Sequence, residues 1–462
     1  MAGITLAADI GTSSLKAAFI DFNGNEIAFC RSAYNDDLSE INATAAPKAL
    51  AWEKAFACAL NNLCLKAPSV KIDGICISGN GPTLAPLTFE GEALPPLYWF
   101  DGKTFIPEHS DVKNGDWQPL SFFLPRAAWL KKNSPEDYKR TLFFLSPHEW
   151  LSFKLGAGAH CILPSPAYEP YYWDDDQLRF FELEREKFPP FARTGEIIGR
   201  VSAEAASLFG RSSANCIKSG TPIVAGGPDF LSALIGTGTM KAGDVCDRAG
   251  SSEGINVCAS VLLGKVYGKG LRVLPHAKEG LWNIGAVIAS SGRMFENFRL
   301  SAGQENRTYD DLLAELISPS RLLFHGFPLP ASHSAFSAPR SPIELGRFVL
   351  CAMGFAVRSA LVNLASSGYP VKEMTVSGGQ GKNALWNQLK ADITGVNLLV
   401  PEICDGELMG NAILAAAALG KTSIEDASLR MIRIKEIYKP ENGLFWEERY
   451  KEFLKDQRIT NN

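Results

Sequence analysis

The sequence predicts an α/β protein made of two lobes, each carrying a strand–turn–strand unit with a turn of small residues. Three observations lead there. Strand and helix patterns alternate along the first third of the chain, which is the signature of mixed layers. An opening strand ends in Asp9 and the small-residue turn Gly11-Thr12-Ser13-Ser14 before a second strand at 15–21. The same arrangement returns about 240 residues later, with a strand at 244–249, the turn Gly250-Ser251-Ser252-Glu253-Gly254 and a return strand at 255–259.

The first turn combines Gly11 with the short hydroxyl side chains Thr12 and Ser13, so backbone N–H groups can approach an anion. Asp9 beside it either caps the turn or holds a hydrated Mg²⁺. A turn at Asn23-Gly24 and a third strand at 26–30 continue a meander, so the loop lies between strands and is neither a Walker loop nor a dinucleotide fingerprint. Helical patterning follows at 47–65, then a buried strand at 74–78 and the loop Gly79-Asn80-Gly81-Pro82-Thr83. A strand at 84–89 leads to Trp99-Phe100-Asp101-Gly102-Lys103, and helices are expected at 125–133 and 146–155. Residues 164–176, rich in proline, aromatic side chains and aspartates, read as a long irregular loop; such loops tend to be functional. Its Tyr168–Trp173 cluster either stacks on a ligand or packs on its own domain.

A buried strand at 222–225 precedes a helix that starts near Asp229. The lobe boundary is placed at 236–243, where Gly236, Gly238 and Gly243 supply hinge-like freedom. A third cluster, Gly378-Gly379-Gln380-Gly381, lies between a strand at 373–376 and a helix at 383–394. Either it is a tight turn, or the helix N-terminus there receives a nucleotide.

Composition narrows the class. The 462 residues call for more than one core, and 46% apolar with 21% charged residues and a net charge of −4 describe an ordinary globular chain. No basic stripe recruits nucleic acid or an anionic membrane. The longest unbroken apolar run, 412–419, is shorter than the ~18 residues of a membrane span, and no signal core opens the chain, so a cytoplasmic protein is expected. Ten cysteines without a C-x-x-C pair read as free structural thiols, and the six histidines show no metal-ligand spacing.

The order of these motifs resembles the FGGY carbohydrate kinases, within the sugar kinase, Hsp70 and actin superfamily. The resemblance implies two ribonuclease H-like (actin-like ATPase) domains flanking a central cleft, with an N-terminal domain at 1–240 and a C-terminal domain at 241–462. It implies ATP and Mg²⁺, with Asp9 toward the metal and Asp229, in Ala225-Gly226-Gly227-Pro228-Asp229, as general base. The bland reading of Asp229 is a helix N-cap. Gly11, Thr12, Ser13 and Lys16 fall in the first phosphate loop, and Gly250, Ser251 and Ser252 in the second. Gly378, Gly379, Gln380 and Asn383, with 406–419, fall in the adenosine region. Asn80, Thr83, Trp99, Asp101 and Phe230 fall on the substrate wall, where a core aromatic, turn and loop residues are the alternatives.

Departures accompany the likeness. Phe230 stands where the family commonly has an amide, Asn80-Gly81-Pro82 where it has Gln-Met-His, and Arg126 where lysine is common. Glu253 is expected to add negative charge near phosphate, and 324–339 lacks a Gly-Glu-Arg run. The expected activity is phosphorylation of a small sugar or polyol, a ketopentose such as xylulose, by a monomer or homodimer with no nucleic-acid or membrane partner. The competing reading is a ligand-sensing regulator without turnover.

Overall fold

The computed structural model describes residues 3–34, 49–107, 121–210, 217–250, 252–266, 270–289, 291–317, 341–441 and 443–460. Ser251 and the segment 324–339 lie outside them. The chain forms two compact units. The first comprises Met1–Gly238, Pro275–Gly280 and Gly406–Ile432; the second comprises Thr239–Leu274, Leu281–Asp405 and Arg433–Asn462. Sequence reasoning divides the chain into two continuous pieces, whereas the units are discontinuous. The physical reason is the helix Gly406–Gly420, which buries residues on nearly every side and therefore sits inside a core.

In the first unit β1 (Ile4–Ile10), β2 (Ser14–Asp21) and β3 (Glu26–Ala33) form an antiparallel meander. β1 also pairs in parallel with β4 (Gly74–Gly79), which pairs in parallel with Pro222–Pro228, and that strand in turn lies antiparallel to Ile197–Arg200. β4 is buried at every position and β1 at all but its first, so both read as continuous apolar runs instead of alternating ones. Helix Ala49–Lys66, with Trp52, Phe56, Leu60 and Leu63 buried, packs on β2 and β3. Helix Gly406–Gly420 packs on β1 and β4 and along helix Asp229–Gly236. The two helices nearly touch: a Cβ on Gly236 would lie 1.9 Å from the Gly406 carbonyl oxygen, and one on Gly410 1.9 Å from that of Ser232.

The second unit repeats this ladder. Trp282–Ile288, Glu253–Ala259 and Val245–Ala249 are antiparallel neighbours; Val245–Ala249, Glu373–Ser377 and Asn397–Pro401 are parallel; Ile434–Tyr438 closes the edge antiparallel. Arg272–Pro275 is added beyond the first of these. Two sheets with the same succession of pairings are the duplicated lobe that the two hairpins announced. Helix Pro342–Ser366 is, among the described residues, the one helix long and apolar enough to cross a membrane; half of that apolar stretch is buried, including Leu350, Phe355 and Leu364.

Two expectations are corrected here. Residues 164–176 are not irregular: strand Cys161–Leu163 leads into short helices at Pro166–Tyr168, Glu169–Tyr172 and Asp175–Phe180. Tyr168, Tyr172 and Trp173 are buried, Trp173 stacks on Phe191 at 5.0 Å, and Asp174 caps the last helix through Gln177. Aromatic burial there outweighs the turn propensity of the prolines. Cys64 is disulfide-bonded, which spacing in the sequence could not show; the other described cysteines are free.

Candidate functional site

In the first unit the phosphate-type turn is fixed from several sides. Asp9 is the register partner of Lys16, and the Gly11 N–H donates to the Ser14 carbonyl at 3.0 Å, which closes the turn and leaves Thr12 and Ser13 exposed. Tyr34 Oη donates to the Gly11 carbonyl at 3.0 Å, and Arg31 Nε to Ser14 Oγ at 2.9 Å. Asn80 Nδ2 donates to the carbonyls of Ile10 at 2.9 Å and Gly11 at 3.2 Å, while Thr83 Oγ1 donates to Asn80 Oδ1 at 2.8 Å. Both side chains are buried, and these bonds fasten the loop 79–83 to the turn. The Gly81-Pro82 peptide within it is cis.

Asp9 lies beneath this turn with 4% of its surface exposed. Ser78 Oγ donates to its Oδ1 at 2.8 Å, and Asn411 Nδ2, from helix Gly406–Gly420, donates to Ser78 Oγ at 2.9 Å. Burial, then the charge of Glu407, push the Asp9 carboxyl up to about 7, with Asp229 adding to the rise and Lys16 and the Ser78 bond opposing it. Lys16 Nζ stands 4.0 Å from Glu407 Oε2. Two further carboxylates, Glu407 and Asp229, thus act on Asp9 against a single lysine, an excess of negative charge that suits a divalent cation. No group of three or more acidic, histidine or cysteine side chains among the described residues could hold a metal. A single carboxylate such as Asp9, beside that excess of negative charge, fits Mg²⁺, which keeps several waters and takes phosphate oxygens alongside one or two carboxylates.

Asp229 is the first residue of helix Asp229–Gly236, not its cap: Pro228 occupies the cap position and no side chain caps there. The Asp229 carboxylate accepts the Phe230 N–H at 2.6 Å, and as the first residue of the helix it lies at the positive end of the helix dipole. Phe230 is half-buried beside it. Trp99, expected at the substrate, is 45% exposed and meets Phe100 edge-on at 5.3 Å between ring centroids. Asp101 accepts the N–H groups of Tyr98 and Lys103, each at 2.9 Å, the bonding of a turn-forming aspartate. Arg126 is buried and donates to the carbonyls of Phe122 at 2.7 Å and Trp99 at 3.1 Å, so it shapes the segment that carries the indole.

In the second unit, the Gly250 N–H donates to the Ser252 carbonyl at 3.1 Å across the second turn. Gly378 has φ +97°, and a Cβ on it would lie 2.5 Å from the Ala249 carbonyl oxygen, so a glycine is required where this strand end meets the hairpin. Gly379 and Gln380 begin the single turn Gly379–Lys382. Gln380 Nε2 donates to the Gly250 carbonyl at 3.0 Å, which binds the third glycine cluster to the second turn. Asn383 caps helix Ala384–Thr394 by accepting the Trp386 N–H at 2.9 Å and donates to Asp310 at 2.7 Å. The segment 406–419, expected near adenosine, belongs to the first unit.

Glu253 does not add charge to the turn. It opens strand Glu253–Ala259, fully buried, and bonds Lys390 Nζ and Ser291 Oγ. Sequence reasoning did not find Ser78, Asn411 or Glu407. Glu407 had a signal, being the only charged residue of the apolar helix Gly406–Gly420.

Comparisons with known proteins follow the same order of parts. The N-terminal domain of the FGGY family of carbohydrate kinases matches residues 4–236 and its C-terminal domain residues 327–419. A xylulose kinase of Staphylococcus epidermidis is 24% identical over 95% of this chain and 93% of its own. An autoinducer-2 kinase of Klebsiella pneumoniae is 25% identical over 90% of this chain and 86% of its own. The crystal structure of a gluconate kinase from Lactobacillus acidophilus superposes with a TM-score of 0.75 at 18% identity, covering 99% of this chain and 98% of that one.

Proposed function

The chain belongs to the FGGY family of carbohydrate kinases, and we propose that it moves the γ-phosphoryl group of ATP onto a hydroxyl of a small sugar or polyol in the cytoplasm. Within that class our reading takes a ketopentose such as xylulose, in keeping with one of the similar kinases, a xylulose kinase. The observation that carries the reading is the half-buried Asp229 carboxylate at a helix N-terminus, whose charge acts on the buried Asp9.

Phosphoryl transfer asks the protein for position and charge, since the oxygen nucleophile and the phosphate do the bond making. Asp229 accepts the proton of the sugar hydroxyl as its oxygen attacks the γ-phosphorus and the bond from that phosphorus to the β,γ-bridging oxygen breaks to release ADP; the Phe230 N–H fixes the direction of the carboxylate. Asp9 would hold Mg²⁺, which would offset negative charge on the phosphates. Thr12, Ser13 and Lys16 offer one set of phosphate donors and Ser252 another, the Gly11 and Gly250 N–H groups being engaged in closing their turns, while Trp99 presents an apolar face to the sugar. Asn80 and Thr83 act by holding the first turn in place. The regulator reading loses the support it drew from Glu253, whose charge is met by Lys390.

The test is an ADP-release screen over polyols, ketoses and sugar acids. Release should require both Mg²⁺ and a polyhydroxylated substrate; equal release without the sugar refutes a sugar kinase. Phe230 sets preference within the class. A site that cannot pair a hydroxyl disfavours the sugar carrying it, because an unpaired buried polar group costs about 1–3 kcal/mol. Phe230→Asn should raise kcat/KM for D-xylulose relative to the best native substrate. If the parent uses D-xylulose efficiently and Phe230→Asn leaves the order of substrates unchanged, this role for Phe230 is wrong.

A further inference from the structure

Beneath the second turn lies a group of charges that the mechanism above does not use. Lys390, on helix Ala384–Thr394, bonds both Asp247 and Glu253, which flank the turn on strands Val245–Ala249 and Glu253–Ala259. All three side chains are at most 1% exposed. Burial works against the charge on Lys390, but the two carboxylates overcome it and raise its pKa. Burial, then the neighbouring Glu253 charge, holds Asp247 well above the usual carboxylate range. Glu253 stays below that range despite burial, because of Lys390 and bonds from Asp247 and Ser291. One ammonium thus serves two buried carboxylates, with Glu253 held toward its charged form and Asp247 pushed toward its neutral one.

Such a group adds little net stability, since apolar side chains of the same size commonly do as well or better; what it supplies is a fixed arrangement of neighbours. Those neighbours lead to the turn. Ser291 Oγ donates to Glu253 Oε2, Gln380 Nε2 donates to Ser291 Oγ at 3.4 Å and to the Gly250 carbonyl at 3.0 Å, and Trp386 Nε1 donates to Gln380 Oε1 at 3.0 Å. The chain of bonds starts at a buried lysine and ends on the backbone of Gly250.

We propose that Lys390, through Glu253, Ser291 and Gln380, is a positioning residue for the second phosphate turn and sets the protein's affinity for adenine nucleotide. This rests on the kinase reading only for the identity of the ligand. Lys390 touches no substrate in this account; it acts by keeping the Gly250 peptide in register with the donors around it.

The test compares Lys390→Met, the double variant Glu253→Gln/Lys390→Met, and Ser291→Ala, using calorimetric binding of Mg-ADP, KM for ATP and for the best sugar, and amide hydrogen exchange at 246–256. Lys390→Met should weaken Mg-ADP binding and raise KM for ATP at least about tenfold, leave the sugar KM within about twofold, and speed exchange in the turn; each is on the scale of a lost supporting contact. The double variant removes both charges while its amide still accepts from Ser291, and should recover most of the lost affinity. Ser291→Ala leaves the ion pair whole and cuts only the relay, so it supplies the result if Lys390→Met does not fold; KM for ATP should rise by about threefold or more. Unchanged Mg-ADP affinity in folded Lys390→Met or in Ser291→Ala overturns the proposal, as does a lowered melting temperature with both KM values unmoved. A parent that binds Mg-ADP, loses it in the variants and phosphorylates no sugar upholds the positioning role and removes the kinase reading. A parent that binds no Mg-ADP overturns both.

Discussion

Asp229→Asn is expected to lower kcat by at least ~10²-fold with KM for ATP nearly unchanged, the scale and pattern of losing a positioned proton acceptor. The substitution keeps the shape of the side chain and an oxygen to accept the Phe230 N–H. It removes the charge at the positive end of the helix dipole and the lone pair that would take the hydroxyl proton. A stability effect is not a competing explanation of equal weight, since the helix is not capped by Asp229. Steady-state kinetics on the best sugar, with thermal melts of both proteins, separate the two. Parental turnover in the variant removes Asp229 from catalysis; a small loss of rate with a large loss of melting temperature makes it structural.

Asp9→Asn should reduce Mg²⁺-dependent turnover by about 10–100-fold, the usual cost of disturbing a metal's surroundings. Its second signature is in stability. The folded-state value of about 7 lies above the ordinary 3.8, so the folded protein holds this proton more tightly than the unfolded chain. The associated stabilisation is complete below pH 3.8 and is lost as pH rises through about 7. Without Mg²⁺, the melting temperature of Asp9→Asn should therefore gain on that of the parent between these limits, because an amide has no charge to bury. Adding Mg²⁺ above pH 7 should restore the parent and leave the variant unmoved. The same Mg²⁺ dependence in both proteins, in rate and in melting, takes Asp9 out of the metal site.

Short-range grammar carried much of this structure. The hairpin around Gly11 and its recurrence around Gly250 are written in local alternation and small residues, and both formed where the pattern placed them. The same signals failed where distant packing decided the outcome. At 166–173 prolines mark turns, yet the aromatic side chains between them found buried partners, and short helices resulted. At Glu253 the residue type announces charge, but its counter-charge lies on a helix more than a hundred positions later, a pairing no local window contains. Asn411 and Glu407 escaped for the same reason: their partners are on β1, β2 and β4, and in sequence they are two polar letters in an apolar run.

The discontinuity of the first unit also governs the order in which it is made. Its sheet is complete in sequence by Pro228, but the helix that covers β1 and β4 and lies against the Asp229 helix is translated only with Gly406–Gly420. At about 5–20 residues per second, the roughly 190 residues between Gly238 and Ile432 hold the nascent unit open for about ten to forty seconds. During that interval Ala8, Cys76 and Ser78 await Asn411, and an apolar sheet face is bare to whatever a ribosome-bound chain meets. A nascent chain halted after residue 240 would lack the helix that covers this sheet, and the carboxylates of Asp9 and Glu407 come together only when synthesis is nearly finished.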